Sequence, residues 1–343
     1  MQSKAATAKP TELGKALSLP CQANRIRFSP DGKLLAAACI DGVVRRWNVA
    51  GKQPAESESL KGHNGWVTDL AFGKDLLFTG DSWGKLTAWN VNGKERWKHD
   101  SAHDGWLRMI AVHEALLATC GKDGSVRIWN AADGKKSSEF ALPNLMAVRF
   151  SPDGKTLFTG DLFGIVREHA LPSGKLLRSF EVKELYKLDR IQDVGGVRCL
   201  IFDAEGKTLF VAGAVPSTGG FVQCTPLIAA IELASGKRQW QWKGANDAEG
   251  YVTDLAWHPD GYIVASASGQ PGQGKVFFLK PGEKAPFFAA AKPNVHSVAI
   301  DPTGTQMAAA LTNANSNGNG RVGGAKYLPN VSPIQMWKVP RGL

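Results

Sequence analysis

One two-part phrase recurs along this chain, and it dictates what the chain can become. The first part is an apolar or aromatic residue, a polar turn and an apolar run. It reads "FSPDGKLLAAA" from Phe28, "FGKDLLFTG" from Phe72, "VHEALLATC" from Val112 and "FSPDGKTLFTG" from Phe150. It returns as "FDAEGKTLFVAG" from Phe202, "WHPDGYIVASAS" from Trp257 and "IDPTGTQMAAA" from Ile300. These copies stand roughly 40–55 residues apart, a spacing that belongs to repeat architectures. The second part follows each copy: "VVRRWNV", "LTAWNV", "VRIWNA", "IVREHAL", "LIAAIEL", "KVFFLK" and "IQMWKV". Trp47, Trp89, Trp129 and Trp337 share one position in it, which His169, Ile231 and Phe278 take elsewhere. Such short segments, rich in β-branched and aromatic residues and bounded by Gly, Pro, Asn and Asp, read as strands. Apolar residues on both strand faces mean sheets buried on both sides. The 38 Gly, 18 Pro and 11 Trp agree with an all-β repeat protein. A doubly wound α/β fold needs helical patterns between strands. Only one possible helical turn occurs, around "VKELYKLDRIQ".

On these residues the chain resembles the WD40-repeat family over nearly its whole length. The resemblance implies a seven-bladed β-propeller of four-stranded antiparallel blades, strands a to d running outward from a central channel. The "SPDGK" turn would join strands a and b, and the shared Trp would lie on strand c. The family's usual Trp-Asp is Trp-Asn here, at Trp47-Asn48, Trp89-Asn90 and Trp129-Asn130. Its structural tetrad is best matched in blade three by His103, Thr119, Asp123 and Trp129. Blade two offers Gly62-His63, but Trp83 stands where the Asp belongs; blade one keeps Asp41 without a His near Asn24.

The ends of the chain complement one another. A Gly-Lys or its variant follows strand c in blades one to six, but after "IQMWKV" only "PRGL" remains. The seventh Gly-Lys is Gly14-Lys15, within "ELGKALSLP". The first strand is therefore expected to supply strand d of blade seven and close the ring, which hides an edge. Residues 1–11 read as a tail and 12–343 as the propeller.

No catalytic constellation, cofactor site or metal site is visible. "GNGRVG" satisfies GxGxxG but lies in a polar loop between strands, without a following helix. "GQPGQGKV" satisfies GxxxxGK, yet Val276 replaces the hydroxyl that would ligate magnesium. "NANSNG" would offer calcium only neutral ligands. The seven His are scattered, and the five Cys form no CxxC pair and read as small apolar filler.

Partner-binding residues are expected on the face that carries the d–a and b–c connections, here called the top. Six residues before their anchors stand Trp66, Trp106 and Tyr251; four before theirs stand Arg108, Arg198 and His296. In the family's geometry these ring the channel mouth. Trp, Tyr and Arg around a concave mouth suit a protein or peptide partner; alternatively, the aromatics plug gaps between blades. Long insertions in blades five to seven, and one between blades four and five, fall on the same face. A propeller enzyme or small-ligand binder using those loops is the alternative to a non-catalytic interaction scaffold.

The net charge is +10, from 41 Lys and Arg against 31 Asp and Glu. Much of the excess lies in c–d turns such as Lys94, Lys135 and Lys237, on the opposite face, without interleaved aromatics. Nucleic acid is therefore not the expected partner. Apolar runs are too short for a membrane helix. The first ten residues carry no apolar leader, so a cytoplasmic location is expected; an exported protein stripped of its leader would read the same.

Overall fold

Strands hydrophobic on both faces cannot stop at one layer, and here the sheets stack face to face around a ring. The computed structural model describes residues 9–217, 223–313, 321–323, 326–328 and 330–342. Among them are seven four-stranded antiparallel sheets, the blades of a β-propeller. Their innermost strands are Ala23–Phe28, Val67–Phe72, Leu107–His113, Leu145–Phe150, Val197–Phe202, Tyr251–His258 and Val295–Ile300. The core is distributed between blades rather than gathered in one place. Leu117 and Trp129 of blade three, for example, pack on Phe78, Leu86 and Ala88 of blade two.

Blade seven is assembled from both ends of the chain. Its order is Val295–Ile300, Gln306–Leu311, Ile334–Lys338 and, outermost, Thr11–Leu17. Thr11 pairs with Lys338, Leu13 with Met336 and Leu17 with Ile334. Gly14 does not open this strand as a turn. It lies inside the strand at a register break, with φ of 55°. No hairpin joins strands c and d here, so no turn is required; a left-handed residue at a bulge is, and glycine adopts it without strain. Leu19 is buried in the seam between blades seven and one, together with Ile26, Leu35, Ile334 and Met336. Ser332 fastens the seam: its N–H donates to the Cys21 carbonyl and its Oγ accepts from the Ala23 N–H, each at 3.0 Å. Residues 1–8, most of the expected tail, lie outside the described residues, and the strand starts at Thr11.

Three further differences from the sequence reading have physical causes. In blade six the shared strand-c position belongs to Leu279, not Phe278. Ile263 pairs with Leu279, which packs toward blade five, whereas Phe278 faces Trp337 of blade seven. With two adjacent Phe in a strand buried on both faces, an apolar pattern does not fix which residue faces which way. Second, the segment after blade four makes only one 3-10 turn, Lys183–Leu185, before a hairpin of Tyr186–Asp189 and Gln192–Gly195. Third, the blade-five insertion extends its b and c strands to Thr208–Pro216 and Cys224–Glu232. The "NANSNG" and "GNGRVG" stretches fall largely outside the described residues.

Candidate functional site: the mouth of the central channel

Each innermost strand breaks register at the same level, and these breaks build the site. The breaks lie between Ala23 and Arg25, Val67 and Asp69, Leu107 and Met109, Leu145 and Ala147, Val197 and Cys199, Val252 and Asp254, and Val295 and Ser297. The residue skipped by the ladder is in turn Asn24, Thr68, Arg108, Met146, Arg198, Thr253 and His296. A bulge re-aims the side chain it carries, and all seven of these line a cavity of about 620 Å³ at the channel mouth.

Six of the seven divide into two kinds, and the seventh, Met146, offers its Sδ to Arg108 Nη1. Asn24, Thr68 and Thr253 each donate to a backbone carbonyl of the next blade: Asn24 to Val67 at 2.8 Å, Thr68 to Leu107 at 2.5 Å and Thr253 to Val295 at 2.7 Å. They staple neighbouring blades. Arg108, Arg198 and His296 make no such bond. Arg198 lies over the Tyr251 ring, 4.2 Å from its centroid. Burial, and secondarily the neighbouring Arg198, pushes Arg108 below the ordinary arginine range. Burial pushes His296 down to about 4, so its imidazole is neutral at pH 7. Arg198 Nε and His296 Nε2 are buried without a hydrogen-bond partner.

The mouth also gathers Trp66, Trp106 and Tyr251. The two indoles meet edge to face at 5.6 Å. They are 48% and 43% exposed, so much of their surface is open to a visitor rather than consumed in a gap between blades. Four other residues at the same sequence offset, Gln22, Asn144, Gly196 and Asn294, do not line the cavity. Asn294 is instead buried and bonded to Gly269.

Below the mouth lies an ionic knot that the sequence reading missed. Arg25 reaches Asp69 at 3.0 Å and Asp254 at 2.8 Å; Arg27 reaches Asp254 at 2.7 Å. Asp69 also accepts the Ile110 N–H, and Asp254 accepts the Val298 N–H and Ser297 Oγ–H. Burial favours the neutral acid, but Arg25 and Arg27 hold Asp254 down to about 2. The available signal was the repeated "VTDLA", which puts one Asp in each of two otherwise apolar inner strands. These carboxylates are saturated by their own arginines and strand amides. They are structural ties between blades.

At the outer top corner of blade three, His103 Nδ1 lies 3.0 Å from Asp123 Oδ1 and its Nε2 lies 2.8 Å from Thr119 Oγ1. Trp129 Nε1–H donates to the same Thr119 oxygen at 3.0 Å. Blade two has the equivalent network, with Asp81 in place of the carboxylate that the sequence reading found missing at Trp83. His63 Nδ1 lies 3.0 Å from Asp81, its Nε2 lies 2.7 Å from Thr79 Oγ1, and Trp89 Nε1–H donates to the same Thr79 oxygen at 2.8 Å. Asp81 comes two residues earlier in sequence than the pattern calls for, yet reaches the same imidazole.

One group of potential metal ligands occurs among the described residues: Cys21, Cys39 and Asp41 have ligand atoms within 4.8 Å of one another. Arg45 already holds Asp41 through two bonds of 3.0 and 2.7 Å and lies 3.5 Å from Cys21 Sγ. A guanidinium therefore sits where a cation would be drawn.

Seven blades, bulged inner strands and two buried His–Thr–Trp networks define the class: a β-propeller with an open, aromatic-lined mouth. The family described as "WD domain, G-beta repeat" matches residues 18–48, 98–130 and 236–270. These three matches and the seven-bladed ring support a WD40-repeat protein. It is also similar to apoptotic protease-activating factor 1: 37% identical over 70 residues to the Homo sapiens protein and 38% over 71 to that of Rattus norvegicus. Each match covers 19% of this chain and 6% of the relative's length.

Proposed function

We propose that this propeller is a non-catalytic scaffold that captures a protein or peptide partner in the channel mouth. The observation that carries the reading is the pair of half-exposed indoles, Trp66 and Trp106, facing a cavity that also holds Arg198 stacked on Tyr251. Large aromatic and Arg side chains at a concave centre are the usual anchors of protein recognition. Propellers of this family generally act as interaction scaffolds, which agrees with the geometry. Among the described residues no helix is long and apolar enough to cross a membrane.

The test replaces Trp66 and Trp106 with Glu and measures thermal melting and partner recovery on the same samples. Unchanged melting with loss of proteins recovered by the wild type supports the mouth as the site. A fall in melting temperature before any binding is lost assigns the indoles to blade packing instead. A thermal shift with small metabolites, unaccompanied by any mouth-dependent protein, favours a small-ligand binder built on the blade five to seven loops.

A further inference from the structure

The charge lining the mouth is one-sided. Arg25, Arg108, Arg198 and Lys122 line the cavity, and no Asp or Glu does. Arg25 is neutralised by Asp69 and Asp254. Arg108, Arg198 and Lys122 make no ion pair among the described residues. The sequence outside those residues contains no Asp or Glu at all, so no carboxylate side chain is available there to neutralise them. Arg108 and Arg198 are close enough for one to disfavour the charge on the other. Deeper in the channel, Arg149 adds another cation without an ion pair among the described residues.

Like charges gathered in a partly desolvated concavity cost stability unless something repays the cost. Elsewhere in the same channel two buried carboxylates neutralise Arg25 and Arg27, so the lack of acids beside Arg108 and Arg198 does not reflect a shortage of room for them. The neutral His296 and the buried Arg198 Nε both lack partners at the same level. Two guanidinium groups with no carboxylate partner among the described residues, Arg108 against the weakly accepting Met146 Sδ and Arg198 on the Tyr251 ring, stand beside open indole faces and form a composite receptor. One part takes a carboxylate bidentately, and the other takes the apolar side chain next to it.

We propose that the mouth recognises an acidic peptide segment, in which an Asp or Glu carboxylate is held between Arg108 and Arg198 while a neighbouring aromatic or aliphatic residue lies on Trp66 and Trp106. This rests on the reading of the mouth as a peptide site and names the chemistry of its occupant. A nucleic-acid strand is the poorer fit. Its repeating phosphates want a continuous basic track, whereas Arg108 and Arg198 belong to blades three and five, and much of the Lys excess is expected in c–d turns on the opposite face.

A displayed library of random twelve-residue peptides, selected on the full chain, tests this. Peptides that survive should be enriched in Asp and Glu next to an apolar residue. Their binding should weaken roughly 10- to 100-fold in the double variant Arg108→Met/Arg198→Met, as expected for loss of charge-assisted hydrogen bonds. Arg108→Lys/Arg198→Lys should retain part of it. Melting supplies a readout that a structural role would move the other way: the Met variant should melt at or above the wild-type temperature, because it removes like charges that the free protein leaves unpaired. Peptides that depend on Trp66 but are not acidic, and that bind the Met variant equally well, overturn the proposal and leave the peptide site standing. Selection of no peptide that depends on Trp66, Arg108 or Arg198 overturns both. Arginine-dependent binding of a twelve-nucleotide single-stranded DNA, with no acidic peptide selected, reassigns the mouth to phosphodiesters and also overturns it.

Discussion

Blades three and one fill the same corner of the ring with different chemistry. In blade three an imidazole occupies the space beside Gly121, where a Cβ would stand 2.3 Å from His103 Nδ1. Thr119 accepts the Trp129 indole N–H and pairs with His103 Nε2, while Asp123 accepts from Arg127 and pairs with His103 Nδ1. In blade one the corresponding residues are Ala37, Cys39, Asp41 and Arg45. There is no hydroxyl beneath the indole, and Cys39 fills the volume that a histidine would need. Asp41 is paired with Arg45 and the Val43 N–H, with no imidazole beside it. Trp47 is nevertheless 3% exposed, packed among Ala308, Ala310 and Met336 of blade seven. The indole is thus held by apolar burial, and the His–Thr–Asp network is a separate polar lock. Blade one does without it because its seam with blade seven is fastened in another way, by the chain's two ends and Ser332.

The largest test of that comparison removes the substitute fastening. Deleting residues 1–20 discards the outer strand of blade seven and the buried Leu19. That forfeits a few ladder hydrogen bonds at about 1 kcal/mol each and about 2 kcal/mol of leucine burial. The melting temperature should fall by roughly 5–10 °C, with aggregation through the freed edge of strand Ile334–Lys338. Deleting residues 1–10 removes none of this and should be nearly silent by differential scanning calorimetry. Equal melting of the two truncations would mean that the seam holds without the N-terminal strand.

Next in size is the polar lock itself. Thr119→Val keeps volume but removes the acceptor of the Trp129 indole N–H and the hydroxyl partner of the His103 imidazole, two buried groups. Leaving those partners unsatisfied should cost about 2–3 kcal/mol in denaturant unfolding. Thr159→Val in blade four makes the control, because Thr159 meets only His169 Nε2, at 3.2 Å, and should cost about 1 kcal/mol. If the two variants lose equal stability, the blade-three network contributes nothing beyond a single hydrogen bond.

The ring and its closure were legible in the sequence because they rest on repetition. Seven phased copies of a turn and a strand fix the fold even when individual residues drift. The position four before each anchor was legible too, since all seven such residues, Arg108, Arg198 and His296 among them, line the mouth; six before the anchors, Trp66, Trp106 and Tyr251 do and Gln22, Asn144, Gly196 and Asn294 do not. The reason they point there was not. A bulge is a backbone event, and residues as different as Asn24, Met146 and His296 occupy it, so no residue type announces it. Asp81 was missed because a carboxylate that reaches an imidazole is defined by its endpoint in space, which residues two positions apart can share. Leu279 was missed because burial on both faces erases the alternation that sets register. The pairing of Arg25 with Asp69 and Asp254 joins blades one, two and six, and proximity across a ring leaves no local trace.

The smallest expected effect concerns acid. Burial, opposed by Asp123, keeps the His103 pKa below its ordinary value of 6.5 in the folded protein. In the unfolded chain the imidazole titrates near 6.5. Below that pH the unfolded state binds the proton and the folded state resists it, so folding stability falls as pH drops from about 6.5 and is flat above it. His169, His258 and His296 are lowered in the same direction, chiefly by burial, and add to the slope. Blade one offers no imidazole at its corner and adds nothing in this window. His103→Asn should lower stability at pH 7.5 and also flatten the decline between pH 6.5 and 5 by part of its wild-type slope, followed by urea unfolding at each pH. An unchanged slope would show that the His103 proton is bound equally in both states, and that the lock in blade three is as indifferent to acid as the apolar corner of blade one.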